Sequence, residues 1–181
     1  VNEEKLIQLC IKANRKAQRE LFDATYSTCF RLSVRYLGNH HDAEDVVSEA
    51  FVRIFQQIGS FVFHGEGSLR RWINTIVINE SLRFLKRRKM LVFEEDLLNS
   101  AETFIDISDL TDIDTEQVEQ IISIMPVGYR TVFNLFAVEG FSHGEIAELL
   151  SITENTSRSQ LSKARRFIIQ RLKTSVNYEN A

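Results

Sequence analysis

Four histidines, His40, His41, His64 and His143, stand among 25 carboxylates, the residue types with which this chain could do acid–base or metal chemistry. Their spacing argues against it. No HExxH, no GxSxG and no paired metal-ligand spacing occurs, and such chemistry needs its residues on one helical face or one sharp turn. The histidines read as loop or surface residues, which leaves a hydrolase as the weakest reading. Cys10 and Cys29 lie far apart in the sequence without a CxxC pattern, so they read as two buried or idle thiols rather than a metal or redox pair.

The types that do fall into a pattern are cations, small hydroxyls and aromatics, and the chemistry they suit is the holding of nucleic acid. In LLSITENTSRSQLSKARRF, Leu149 to Phe167, a turn precedes a basic helix. Ahead of it, Ser142 and Glu145 form an S-x-x-E capping box for a short helix, HGEIAELL, with Ile146, Ala147, Leu149 and Leu150 inward. A tight connection, Ser151-Ile152, leads to Thr153 as a second cap. Along the basic helix Ser157, Leu161, Ala164, Ile168 and Leu172 share the inward side. Asn155, Ser159, Ser162 and Arg166 share the outward side, flanked by Arg158 and Lys163. Short helix, tight turn and longer basic helix is helix-turn-helix geometry, in which the second helix enters the major groove. Two positions depart from the usual pattern: Ser151 stands where Gly would relax the turn, and Ser157 faces the core where a branched aliphatic is usual.

A second constellation lies in GSFVFHGEGSLRRWINTIVINESLRFLKRRK. Its Gly-rich loop ends at Ser68, a candidate cap for a helix of about 22 residues and roughly 33 Å. Leu69, Trp72, Ile73, Ile76, Val77 and Phe84 point to a core, while Arg71, Thr75, Asn79 and Lys86 line a separate stripe. Aromatic rings stack on bases and cations track phosphate, so this stripe beside Phe61, Phe63 and His64 suits a single strand.

These residues need helices to position them. From Arg19 to Gly38 apolar residues recur on one face, and Gly38-Asn39 supplies a stop. Asp42 is the expected cap of the next helix, DAEDVVSEAFVRIFQQI, with Ala43, Val46, Val47, Ala50, Ile54 and Ile58 on one side. Asp45, Ser48, Glu49, Val52 and Gln56 lie opposite, with Phe55 near the edge, either as a solvated face or as a docking surface. Further on, Pro126 opens a helix that continues to Val138 and stops at Gly140.

Seven Gly and one Pro are few for 181 residues and favour helices joined by short connections, so the expected class is all-α. No apolar run approaches the roughly 18 residues of a spanning helix, so no membrane insertion is expected. The net charge of -3 hides a segregation. Residues 1–92 hold 15 basic and 10 acidic side chains, residues 93–120 hold 10 acidic and none basic, and residues 121–181 hold 7 basic and 5 acidic. Two mildly basic helical blocks thus flank an acidic linker, which is either a solvated tether or a segment imitating nucleic acid inside a basic channel.

Both blocks resemble one family. The run from LFDATYSTCF through RRWINTI to FLKRRK is similar to region 2 of the sigma-70 family, and MPVGYRTVFNLFAVEGFSHGEIAELL through SKARRFI is similar to region 4. With no intermediate domain, the chain is identified as resembling the extracytoplasmic-function (ECF) subfamily of bacterial sigma factors. The resemblance implies region 2 over residues 1–92, a linker over 93–114 and region 4 over 115–181. It implies a cytoplasmic, nucleoid-associated initiation factor without catalytic residues, cofactor or metal, monomeric when free. Such a factor binds core RNA polymerase, directs it to promoters and helps open the duplex.

Asp45, Ser48, Glu49, Val52, Phe55 and Gln56 would dock on the clamp coiled coil of the β' subunit, and the second block would meet the β flap. Phe61 and His64 would belong to a loop capturing a flipped base of the minus-ten element, with Arg71, Thr75, Asn79, Arg83 and Lys86 along the strand. Thr156, Arg158, Ser159, Ser162, Lys163 and Arg166 would read the minus-thirty-five element, and an anti-sigma factor is a further implied partner. Family members usually carry Gly and Val where this chain has Ser151 and Ser157, often Gln at Ser48, and a charged or polar residue at Gly128. The rival reading is a dimeric helix-turn-helix regulator that binds an operator without polymerase.

Overall fold

The computed structural model describes residues 3–93 and 115–179, with side chains for 3–93 and 117–173; among them there are helices and loops and no strand. Two compact units divide the chain, Val1–Arg88 and Lys89–Ala181. Most of the acidic linker, residues 94–114, lies outside the described residues.

The first unit contains α1 (Glu3–Ile11), α2 (Arg15–Leu37), α3 (His40–Gln57), a 3₁₀ turn (Ile58–Ser60) and α4 (Ser68–Arg87). Helix α2 begins four residues before the Arg19 expected, because the Asn14 side chain accepts the Lys16 and Ala17 N–H groups at 3.0 and 3.1 Å. Gly38 ends it, donating its N–H to the Val34 carbonyl at 2.7 Å. The cap of α3 is Asn39, whose Oδ1 accepts the Asp42 N–H at 3.1 Å, and not Asp42. The aspartate instead sits in the first turn, where the helix dipole favours its charge.

Ala43, Val46, Val47, Ala50, Ile54 and Ile58 are all buried, as the periodicity predicts, and so are Leu21 and Tyr36 of α2 and Ile73, Val77 and Leu85 of α4, the helices against which α3 packs. Ser33 and Ser81 meet in this core with hydroxyls 3.4 Å apart. Cys10 and Cys29 are free and buried, and burial pushes the Cys29 thiol up to about 11.

The second unit carries α5 (Thr115–Ser123), α6 (Val127–Phe133), a π-helical turn (Asn134–Val138), α7 (His143–Leu150) and α8 (Glu154–Glu179). Arg130, 4% exposed, donates from Nη1 to the Ser123 carbonyl at 2.6 Å and so ties α6 to the end of α5. The expected continuous helix from Val127 to Val138 instead widens after Phe133, where the Glu139 N–H reaches back to the Asn134 carbonyl at 2.9 Å. Pro126 precedes α6 as its N-cap. No helix among the described residues is long and apolar enough to cross a membrane.

Candidate nucleic-acid interface

The capping box of α7 is complete: the Ser142 N–H donates to Glu145 Oε2 at 2.8 Å and the Glu145 N–H donates to Ser142 Oγ at 3.3 Å. The Ser142 N–H and the Ser142 hydroxyl, which donates to the same Glu145 Oε2 at 2.7 Å, hold the Glu145 carboxyl below its ordinary range, because both favour the charged form. Ser151 ends α7 in the left-handed region, at φ 59° and ψ 48°, the conformation that glycine enters without strain. Thr153 then caps α8, its Oγ1 accepting the Thr156 N–H at 3.0 Å. Ser157 is fully buried, and its hydroxyl lies 2.8 Å from His143 Nδ1. That ring stacks on Phe136 with centroids 4.5 Å apart. A polar pair thus fills the site where an aliphatic is usual, and His143 is half-buried rather than on the surface.

Leu161, Ala164, Ile168 and Leu172 are buried as expected. On the other side Arg158 and Arg166 are exposed, with Arg158 paired to Glu154 at 3.1 Å, and Ser162 is half-buried. Lys163 is half-buried, its ammonium 5.9 Å from the Tyr129 ring centre.

Ser159 does not have the outward placement predicted for it, being 5% exposed, and Thr156, expected among the DNA-reading residues from the resemblance, is 7% exposed. Helix α8 is covered on more than one side. Helix α6 crosses it with Tyr129 at Lys163 and Gly128 at Gln160. A Cβ on Gly128 would fall 2.7 Å from the Val92 carbonyl oxygen and 3.1 Å from Gln160 Oε1, so the segment Val92–Phe93 lies directly on α6. Gln160 is fully buried, with neither side-chain polar atom hydrogen-bonded among the described residues. The two hydroxyls turn onto their own helix: Ser159 Oγ donates to the Thr156 carbonyl at 3.0 Å, and the Thr156 and Thr153 hydroxyls meet at 2.8 Å.

In the first unit the loop lies against the start of α4, with Phe61 and His64 at the helix but not Phe63, which was expected with them. Gly67, at φ 78°, turns the chain into α4 as its N-cap. Ser68, expected as that cap, is the first helical residue and knots the loop: its Oγ donates to the Gly65 carbonyl at 2.6 Å and accepts the His64 N–H at 3.2 Å. A cavity of about 290 Å³ opens between loop and helix, lined by Ser60, Phe61, Val62, His64, Ser68, Arg71 and Trp72. Phe61 packs on Trp72 with centroids 5.2 Å apart. From this cavity Arg71, Thr75, Asn79, Arg83 and Lys86 run exposed along α4. An aromatic-walled cavity at the start of a cationic row can hold a base while the row follows the strand.

On α3 the row Asp45, Ser48, Glu49, Val52 and Gln56 is exposed, and Phe55 is half-buried against Phe51. Val52, at 57% exposed, is an aliphatic without cover among carboxylates. Glu49 Oε1 lies 3.6 Å from Arg87 Nη2 of α4. Sequence reasoning did not single out Arg53 or Glu80, whose ion pair at 2.7 Å joins α3 to α4. The helical count carried that signal, since Glu80 falls among Ile76, Val77 and Phe84 on the apolar face.

The family model for sigma-70 region 2 matches residues 21–90 and that for sigma-70 region 4 matches residues 115–168. The ECF RNA polymerase sigma-E factor of Haemophilus influenzae is 27% identical over 180 residues, covering 93% of this chain and 94% of that protein. The ECF RNA polymerase sigma factor SigW of Bacillus subtilis is 25% identical over 197 residues, covering 94% and 98%. The fold is also that of the sigma factor RpoE of Bartonella quintana, solved with the anti-sigma factor NepR, with TM-score 0.52, 19% identity and coverage of 86% and 96%. With both regions in order and such relatives matched along nearly their whole length, the chain belongs to the sigma-70 family, in its ECF group.

Proposed function

We propose that the protein directs core RNA polymerase to promoters and opens the duplex there, using three separate faces. The exposed row of α3, Asp45, Ser48, Glu49, Val52, Phe55 and Gln56, docks on the clamp coiled coil of the β' subunit. An exposed ion pair such as Glu49–Arg87 is worth about 0–1 kcal/mol, so docking can open it at little cost. The cavity holding Phe61 and His64 takes a base flipped from the minus-ten strand, whose unstacking, about a few kcal/mol, the stacking and hydrogen bonds must offset. Arg71, Thr75, Asn79, Arg83 and Lys86 follow the backbone. Helix α8 reads the minus-thirty-five element through Arg158, Ser162, Lys163 and Arg166, with Thr156 and Ser159 joining once their face is uncovered. The second unit also meets the β flap.

The observation that carries this reading is the joining, on α4, of an aromatic-walled cavity to an exposed cationic row. The boundaries 1–92, 93–114 and 115–181 belong to the same reading, with the acidic linker threading the basic channel of polymerase. We take the factor to act in the cytoplasm, on the nucleoid when in holoenzyme, and to be a monomer when free, without cofactor or catalytic residues. The Bartonella relative's partner makes an anti-sigma factor the expected regulator. Run-off transcription with purified core polymerase across genomic fragments tests the reading: discrete starts dependent on this protein are expected. Tight two-fold binding to an operator by the isolated chain, with no polymerase association, would replace it with the dimeric regulator.

A further inference from the structure

Glu80 occupies a place where the helical count puts an apolar residue, four residues after Ile76 and four before Phe84, both buried. It is 3% exposed. Its Oε1 lies 2.7 Å from Arg53 Nε of α3 and 3.7 Å from Arg83 Nη1, one turn further along α4. Its Oε2 is buried without a hydrogen-bond partner among the described residues. Burying a carboxylate costs more in desolvation than such a pair reliably returns, and an apolar side chain of similar volume would serve the core as well or better. Stability alone therefore does not account for this acid.

The two cations it holds stand on different helices. Arg53, 37% exposed, stands on α3 beside Val52 of the docking row, and Arg83, 54% exposed, adjoins Asn79 and Lys86 on the outward side of α4. We propose that Glu80 is a positioning residue for the minus-ten contact: anchored from beneath by Arg53, its carboxylate draws Arg83 along α4 into line with Asn79 and Lys86. The inference rests on the reading of α4 as the minus-ten surface.

The guanidinium makes this arrangement workable. It carries five N–H donors on a rigid plane, so one edge can face Glu80 while the other remains for a phosphate. An arginine already held in place loses less side-chain freedom when the strand arrives, and the strand is bound more tightly for it. One carboxylate between two guanidiniums leaves the cluster with net positive charge, so the row still attracts phosphate.

The test uses holoenzyme reconstituted with the full chain and the minus-ten non-template strand of a promoter mapped by run-off transcription. Binding of that oligonucleotide is measured over a range of salt concentrations, for Glu80→Gln, Arg83→Ala and the two together. A phosphate contact on a single strand contributes about 0.7 to the slope of log affinity against log salt. Arg83→Ala is expected to lower the slope by about that amount and to weaken binding. Glu80→Gln, which keeps the Arg83 charge but frees its side chain, is expected to weaken binding several-fold at every salt concentration with little change of slope, and to weaken it no further in the Arg83→Ala background.

Unchanged affinity in Glu80→Gln beside a lowered slope in Arg83→Ala overturns the inference and leaves the minus-ten reading standing. An unchanged slope in Arg83→Ala removes that reading of Arg83, and the inference with it. A steeper slope in Glu80→Gln makes Glu80 a competitor of phosphate, which also overturns the inference. Should Glu80→Gln fold poorly, the pair Arg53→Met with Glu80→Met replaces the ions by packing; wild-type affinity for the strand in that variant would reduce Glu80 to a core residue.

Discussion

Ser151 holds a left-handed backbone, at φ 59°, at the turn that sets α8 against α7. That conformation costs an L-residue roughly 1–2 kcal/mol, while glycine adds roughly 0.5–1 kcal/mol of unfolded-chain entropy. Strain outweighs entropy here. Ser151→Gly should therefore stabilise the second unit by about 0.5–1 kcal/mol in a denaturant titration, and a loss would mean that the serine side chain contributes more than the backbone costs. Arg158 and Lys163 separate two kinds of contact. If either reads a base, its alanine variant should alter use of the upstream element by about 1–3 kcal/mol; a phosphate contact would weaken all sequences alike. Unchanged promoter selection in both variants would move recognition elsewhere.

Glu145 adds a pH dependence whose sign follows from its depressed carboxyl. A group with a lowered folded-state pKa stabilises above its unfolded value, ordinarily 4.5, and that contribution is lost as pH falls through the folded value. Thermal melts stepped down from neutral pH should show an acid limb that is shallower in Glu145→Ala, and identical limbs would deny the capping box this role.

Elements meet in two ways here. Helices α2, α3 and α4 meet by apolar faces whose residues recur at helical spacing, whereas α6 meets the segment Val92–Phe93 through the absence of a side chain at Gly128. Alanine at that position would gain about 1 kcal/mol of helix propensity but meet the Val92 carbonyl at 2.7 Å, a backbone atom that can yield only by moving the whole segment. Overpacking of this kind costs about 1–3 kcal/mol. The clash wins, and Gly128→Ala should raise hydrogen exchange at residues 91–93 while α6 itself stays protected. Unchanged exchange there would mean that the segment gains nothing from lying on α6.

At the scale of the whole molecule the charge distribution matters more than its sum. The 10 acids and no bases of residues 93–120 stand between two blocks that carry an excess of cations. Residues 93–114 can extend to at most roughly 70 Å at about 3.4 Å per residue, so threading the polymerase channel requires Val92–Phe93 to leave α6. The linker's charge also opposes free DNA. Replacing its acids with Asn or Gln should tighten binding of the free protein to random duplex, most visibly at low salt, as fluorescence anisotropy would read it. Affinity and holoenzyme initiation both left unchanged would make the segment a plain tether.

What the sequence determined by itself are the features settled within a few residues of chain: the Gly38 stop, the capping box of Ser142 and Glu145, the buried stripe of α3 and the exposed row of α4. Caps and periodicity act over one helical turn, so residue order carries them. Even there the start of α3 at Asn39 rather than Asp42 turned on which side chain could reach a free amide. Tertiary structure alone decided the rest: the burial of Thr156 and Ser159, the bond between His143 and Ser157, the segment lying on Gly128, and the pairing of Glu80 with Arg53 across α4 and α3. Each depends on a partner from another element or on cover that no local pattern specifies. A helical wheel separates the faces of one helix; only packing says how many of them are covered.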